Sequence, residues 1–531
     1  MKTILLSLAL VVTIFSHGQN TGPIDVLHYS FSIELSDESD IINCKALVQV
    51  RFTDATDRFN LDLTSVKQGK GMNVISTMEK GRPVTIIHQD NVLSFQLSTK
   101  AKVGDTSVFE INYKGIPSDG LIISKNKYGN RTFFADNWPN RGHNWIPCHD
   151  DPSDKATVEY IVTAPQHYQV VANGIQVEET NLDNNKKLSR YVEDVPIATK
   201  VMVIGAADFA VNLSGFVGCI PVYSWVYPEE RNKGFYDYAQ ANDILPFFIA
   251  NVGPYGYKKL ANVQSKTTFG GLENANTIFY YENSITGTRR SESLLTHEIA
   301  HQWFGNMATE KSFAHLWLSE GFATYFTILY FENKHGIDTA LYMLKKDRRE
   351  VVAFSKENNH PIVDTTVKDY MQLLNANNYQ KGGWILHMLR RQLGDSAFWQ
   401  SIRAYYATYA GKNADTRDLQ RIFEKNSGRN LDTFFNQWLY TPGQPSLNIT
   451  WKVDKNKKLL LKVSQLQTRP FVFPLELELK TSNGKSVIVK LDISKREEVF
   501  SVTAPKGVTG IITDPNTSLL FEEKATPTNQ N

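Results

Sequence analysis

Residues 291–304 read Ser291-Glu292-Ser293-Leu294-Leu295-Thr296-His297-Glu298-Ile299-Ala300-His301-Gln302-Trp303-Phe304. On a helix, positions i and i+4 share one face, about 5–6 Å apart at Cβ. Imidazoles from His297 and His301 can therefore reach one Zn²⁺ ion at about 2.0–2.1 Å each. Glu298 lies one step round the helix, where it can face a water held by the metal without binding the metal itself. Zinc lowers the pKa of such a water towards about 7, and a carboxylate can then take its proton. Taken apart from its surroundings, the same run could be an amphipathic helix that happens to carry two histidines.

A catalytic zinc needs a third protein ligand and an open position. The next helical run, Leu316-Trp317-Leu318-Ser319-Glu320-Gly321-Phe322-Ala323, begins a helix that ends near Gly336. Glu320 stands there among Leu316, Leu318 and Phe322, and a carboxylate in apolar surroundings needs a partner. Eighteen residues separate His301 from Glu320.

His-Glu-x-x-His, 18 residues and Glu together resemble the zinc signature of the gluzincin aminopeptidases, the family of aminopeptidase N and the leukotriene hydrolase/aminopeptidase. His301-Gln302-Trp303-Phe304-Gly305-Asn306 and Trp317-Leu318-Ser319-Glu320-Gly321-Phe322-Ala323 are similar to that family's sequences around its ligands. The resemblance implies one zinc ion per chain on His297, His301 and Glu320, with Glu298 as general base. Upstream, Gly270-Gly271-Leu272-Glu273-Asn274 resembles the family's Gly-x-Met-Glu-Asn exopeptidase motif, with Leu272 in place of Met. A fixed carboxylate such as Glu273 can bind a substrate's α-ammonium and so set the distance of the scissile bond from the metal. Gly270 and Gly271 let the backbone approach an extended substrate. With Asn274 they form the implied substrate-binding set. Tyr379-Gln380-Lys381-Gly382 resembles the family's Tyr-x-Lys-Gly segment, whose Tyr donates a hydrogen bond to the oxyanion. Trp145-Ile146-Pro147-Cys148-His149-Asp150-Asp151-Pro152 is similar to a Pro-Cys-x-Asp-x-Pro segment, which implies a buried structural thiol at Cys148. In many members a Gln or Glu shortly before that segment helps grip the substrate's N-terminus. Here the stretch Asp136-Asn137-Trp138-Pro139-Asn140-Arg141-Gly142-His143 does not identify that residue, so recognition leans on Glu273. His315 stands where members often have an acidic residue, and His143, His149 and His387 read as hydrogen-bonded structural residues.

Outward from the metal helices, the chain divides by periodicity. Tyr29, Phe31, Ile33 and Leu35 alternate with polar or smaller neighbours, as do Ala46, Val48, Val50 and Phe52. That is the period of half-buried strands, and similar runs recur to about Phe209. Between about 230 and 440 the apolar spacing is helical. Leu393-Gly394-Asp395 reads as a helix end followed by an N-cap, Thr416 as a helix start, and Phe434, Phe435, Trp438 and Leu439 as one helical face. Thr441-Pro442-Gly443-Gln444-Pro445 ends this region. Strand alternation returns at Leu447, Ile449, Trp451 and Val453, with a hairpin turn at Asn483-Gly484. The predicted fold class is multidomain α+β. It comprises an N-terminal β-sheet domain (19–213), a thermolysin-like α/β catalytic domain (214–441) and a C-terminal β-sandwich (442–524), with a disordered tail (525–531). The resemblance further implies a short three-domain form lacking the C-terminal helical domain of longer members, and hence a more open cleft.

The 531 residues exceed one hydrophobic core, and 41% hydrophobic with 21% charged residues fits a globular protein. A formal net charge of +2 shows no basic excess that would point to nucleic acid. Lys2, the apolar run Ile4–Phe15, and Ser16 and Gly18 read as a signal peptide cut after Gly18. A 12-residue run is short of the roughly 20 needed to span a bilayer. The prediction is a secreted or periplasmic protein without stable membrane insertion. Cys44, Cys148 and Cys219 allow at most one disulfide. The functional reading is zinc-dependent removal of residues from peptides with a free N-terminus, through a zinc-activated water. The alternatives are a non-catalytic binding scaffold on the same fold and an additional epoxide hydrolase activity. Side-chain preference and oligomeric state stay open.

Overall fold

The computed structural model describes residues 22–529 except 457, 504, 525 and 526. The signal-peptide segment 1–18 lies outside the described residues. The predicted alternation is realised in the strands Ile24–Glu34 and Ile42–Phe52, which pair antiparallel with Tyr29 opposite Val48 and Phe31 opposite Ala46. All four of those side chains are buried. The two strands sit at the centre of an eight-stranded sheet, where Ile24–Glu34 also pairs parallel with Lys155–Pro165. A three-stranded sheet (Thr56–Asp62, Val92–Ala101, Thr85–Gln89) adds Phe59 and Phe95, stacked at 4.6 Å, and both rings meet Phe109 of the large sheet. A four-stranded sheet contains Arg131–Ala135 and Ile204–Ala207 and leads to the domain boundary.

The boundary differs from the predicted 213/214. Strand Ala210–Val217 runs through that point and pairs with Ile220–Val226. It is the outer strand of a five-stranded sheet ordered 210–217, 220–226, 260–265, 277–281, 271–272. The β period therefore continues unbroken from one domain's sheet into the next, and alternation alone could not separate them. The strand Gly271–Leu272 is the opposite edge of this sheet, antiparallel to Thr277–Tyr281. The helices Glu292–His301 and Trp317–His335 pack together, and just past the end of the first the Phe304 ring lies 4.5 Å from that of Phe322 on the second. Thr416 opens its helix under an Asp415 cap reciprocated by Asp418. Asp395 is the first residue of its helix rather than the cap; Gly394 takes that place.

The two domains are joined by buried polar contacts. Lys200 pairs with Glu310, both almost fully buried, and Lys155 donates to the carbonyls of Asn306 (3.1 Å) and Met307 (2.8 Å). These bonds run from the first domain to the segment that follows the metal helix.

The C-terminal sandwich sets Glu497–Thr503, Lys458–Gln465 and Ser446–Val453 against Ser486–Ile493, Phe473–Thr481 and Val508–Thr513. In its hairpin only Gly484 takes positive φ (77°). Asn483 instead accepts hydrogen bonds on its side chain from Lys485 N–H (3.1 Å) and Thr481 Oγ1 (2.6 Å). The predicted disordered tail is corrected in part: Thr528 and Asn529 pair in parallel with Thr450 and Trp451, on the open edge of Ser446–Val453. The sandwich is clamped to the catalytic helices by Arg348. Its guanidinium lies 4.8 Å from the rings of both Trp384 and Phe521 and pairs with Asp514. Cys44 and Cys148 are buried, Cys219 is exposed, and all three are free thiols. Among the described residues no helix is long and apolar enough to cross a membrane.

Candidate metal centre and active site

His297 and His301 leave the same face of the helix Glu292–His301, and Glu320 leaves the first turn of the helix Trp317–His335. Nε2 of His297 lies 3.1 Å from Nε2 of His301, and each Nε2 is 3.3 Å from Oε2 of Glu320. Three donors bound at about 2.0–2.1 Å in a tetrahedron stand about 3.3 Å apart. The triangle therefore matches a zinc-sized ion. His301 is held in the required tautomer: Nδ1 bonds the carbonyl of Phe304 (3.1 Å), with Ser319 Oγ at 3.0 Å, which leaves Nε2 for the metal. Burial opposes ionisation of Glu320, yet His301 and His297 hold it below the ordinary carboxylate range. A buried anion with two imidazole edges facing it is a donor set suited to a divalent cation.

Glu298 is buried beside this triangle. Burial pushes its carboxyl well above the usual range against the pull of His301, and Glu273 and Glu320 push the same way. Its place depends on Gly271, since a Cβ there would lie 2.3 Å from Glu298 Oε1 and 2.5 Å from its Cδ. Gly271→Ala is therefore expected to displace the carboxylate. Activity should fall by about 10²-fold or more, the lower range for a mispositioned base, while circular dichroism and metal content stay unchanged. Wild-type kcat in this variant would disprove the close approach.

Glu273 follows the edge strand and is 5% exposed. Its backbone carbonyl is gripped by Gln302 Nε2 (3.0 Å) and Asn306 Nδ2 (2.6 Å). Its Oε1 has no hydrogen-bond partner among the described residues. Donor atoms of Glu273, Glu298 and His301 lie within 4.8 Å of one another. An orphaned acceptor here, next to the metal triangle, is a place for a ligand's cation.

Tyr379 rides on a π-helical turn, Asn377–Lys381. Its ring stacks on His297 with centroids 5.9 Å apart and planes 5° apart. Burial, then Glu320, raises its phenol well above the normal value, so the O–H stays protonated and able to donate. The motif glycines bring this turn to the metal. A Cβ on Gly321 would lie 2.8 Å from the backbone of Gly382, and one on Gly382 would lie 2.9 Å from Gly321 Cα. Lys381 is buried and donates to the carbonyl of Gly443 (2.8 Å), tying the turn to the start of the C-terminal sandwich.

His297, His301, Glu320, Glu298, Gly271, Glu273 and Tyr379 line one cleft of about 470 Å³, together with Gly270, Leu272 and, from the first domain, Trp138. Asn274 is fully buried and is not among the residues that line the cleft, and its N–H turns back on the carbonyl of Leu272 (2.9 Å). The sequence assigns no role to Gln302, Asn306 or Trp138, because their contacts depend on which chain segment packs opposite. The histidines read as structural are hydrogen-bonded: His143 bonds Asp150 (2.8 Å), His149 bonds Asp154 (2.7 Å) and His387 bonds the carbonyl of Thr517 (2.8 Å), while His315 bonds Thr416 Oγ1 (2.9 Å).

Fold and site together define an α+β protein with a buried His-His-Glu metal site, a neighbouring carboxyl and a phenol in one cleft. The sequence comparisons narrow this class. A "Peptidase M1 N-terminal domain" model matches residues 26–201 and a "Peptidase family M1 domain" model matches residues 236–438. The chain belongs to peptidase family M1. It is 24% identical over 452 residues to a probable aminopeptidase 2 of Sulfurisphaera tokodaii, covering 80% of this chain and 56% of that protein. It is 25% identical over 388 residues to the glutamyl aminopeptidase of Rattus norvegicus, covering 69% and 41% respectively. The chain thus spans about half the length of the curated relatives it matches. In fold it is similar to a two-domain M1 zinc metallopeptidase mutant bound to L-tryptophan. The TM-score is 0.68 at 23% identity, covering 78% of this chain and 94% of that one. A mutant from Deinococcus radiodurans bound to a Tyr-Ser-Ala substrate gives 0.67 at 23% identity, with the same coverage.

Proposed function

We propose that the protein is a zinc-dependent aminopeptidase that hydrolyses the first peptide bond of peptides with a free N-terminus. The observation that carries this reading is the buried Glu273 carboxyl, whose Oε1 has no hydrogen-bond partner among the described residues, beside Glu298 and the metal triangle. His297, His301 and Glu320 would hold one zinc ion per chain, which when bound supplies Lewis acidity to a water and to the scissile carbonyl. Glu298 takes the proton of the attacking water and returns it to the leaving amine. Tyr379 donates its O–H to the carbonyl oxygen as negative charge develops there. Glu273 receives the substrate's α-ammonium and fixes the bond to be cut.

The test is metal dependence. Dialysis against a chelator should abolish hydrolysis of free aminoacyl amides, and one equivalent of zinc per chain should restore it. Zinc that binds stoichiometrically without any hydrolysis would instead favour the scaffold alternative.

The secreted or periplasmic location is part of the same proposal and is supported by the charged, apolar and small-residue order of residues 2–18. N-terminal sequencing of the mature chain should begin at Gln19; a mature chain that retains Met1 would refute it.

A further inference from the structure

The walls of the cleft carry a second message. Beside the catalytic groups, Gly270, Gly271 and Ser293, they consist of Trp138, Phe269, Leu272, Leu294 and Leu374, and no lysine or arginine lines the cleft among the described residues. Arg141 does not line the cleft; its guanidinium lies 5.7 Å from the Phe269 ring and is taken by Asp119 (3.1 Å) and Asp136. The acidic residues in the cleft are Glu273, Glu298 and Glu320. An acidic side chain directed onto these apolar walls meets no lysine or arginine to pair with it.

Trp138 is built into this wall from the other domain. Asp136 accepts from Thr267 Oγ1 (3.0 Å) and Thr268 N–H (3.2 Å), in the segment that leads to Gly270. Asn137 donates to the carbonyls of Thr199 (3.1 Å) and Met202 (2.7 Å). The Trp138 ring packs edge-on against Phe269 (5.8 Å) and Phe313 (6.1 Å). It is a fixed aromatic surface in the stretch where the resemblance calls for a Gln or Glu.

We propose that the cleft selects peptides whose first residue is large and apolar, and that Trp138 and Leu374 are the specificity-determining residues that set this choice. The inference rests on the aminopeptidase reading, because Glu273 must hold the α-ammonium for the first side chain to meet these walls. A gain of one or more methylenes in an apolar pocket is worth about 10-fold or more in kcat/KM.

The zinc-loaded full chain is assayed on Ala-, Leu-, Phe- and Glu-amides. Binding of free L-Ala, L-Leu, L-Phe and L-Glu is measured alongside by calorimetry. Leu and Phe should exceed Ala by about 10-fold or more, and Glu should fall below Ala, in both measurements. Trp138→Ala should lower the Phe:Ala ratio by about 10-fold; if it does not fold, Trp138→Phe, which keeps an aromatic edge for Phe269, should lower it less but in the same direction. Leu374→Arg, at a half-buried position outside helix and strand, should raise the Glu:Ala ratio by about 10-fold or more. Glu handled as well as Leu by the wild type, or ratios unmoved by the variants, would overturn the assignment of the walls while leaving aminopeptidase action intact. Binding that ranks as expected with no amide cleaved would support the walls and reject the aminopeptidase reading.

Discussion

Glu298→Gln is expected to lower kcat by about 10²–10⁴-fold, the range associated with loss of a general base. The substitution keeps the shape that Gly271 makes room for and removes only the ability to accept a proton. Glu298 lies outside the His297–His301–Glu320 triangle, so the variant should still bind one zinc ion per chain. KM should change little, because the lost interaction belongs to the transition state rather than to substrate binding. Kinetics and metal analysis on the same preparation check both parts. Full activity with normal metal content would remove Glu298 from the mechanism. Lost metal would mean that Glu298 belongs to the donor set.

The second large effect concerns Glu273. Glu273→Gln should lower kcat/KM for free-amine substrates by about 10²-fold or more, since truncating one partner of a buried charge pair costs about 2–5 kcal/mol. The discrimination between free and acetylated N-termini should collapse with it, because the neutral amide no longer prefers an ammonium. The backbone of this residue is held independently by Gln302 and Asn306, so the side-chain change should not move the strand. Equal loss on free and acetylated substrates would point to a structural defect, and an unchanged free-amine preference would place the ammonium site elsewhere.

What the chain disclosed as sequence depended on the range of the interaction. His297, Glu298 and His301 were legible because i, i+4 spacing on a helix is local geometry. Glu320 followed from its spacing, and Glu273 and Tyr379 from the resemblance of their segments. Trp138 was not legible, because its place in the cleft depends on how the loop 136–141 is bonded to Thr267, Thr199 and Met202, all distant in the chain. Gln302 and Asn306 act on a backbone carbonyl, which leaves no compositional trace. Asn274 is implied with Glu273 by the resemblance of one motif; in the structure both are buried, and Glu273 lines the cleft. In the fold, the strand alternation of 24–52 translated directly into burial. The boundary near 210 did not, because two β-sheets meet there without a change of period. The pairing of Thr528 and Asn529 was hidden for a related reason: a polar terminus gains a strand partner only from an open sheet edge elsewhere.

The central claim is tested most directly by the ratio of kcat/KM for a matched pair, leucyl amide and N-acetyl-leucyl amide, on the zinc-loaded protein. The account predicts cleavage of the free amine at a rate about 10²-fold or more above the acetylated compound, since only the ammonium can pair with Glu273. Equal cleavage of both would contradict it and describe an endopeptidase with the same metal site.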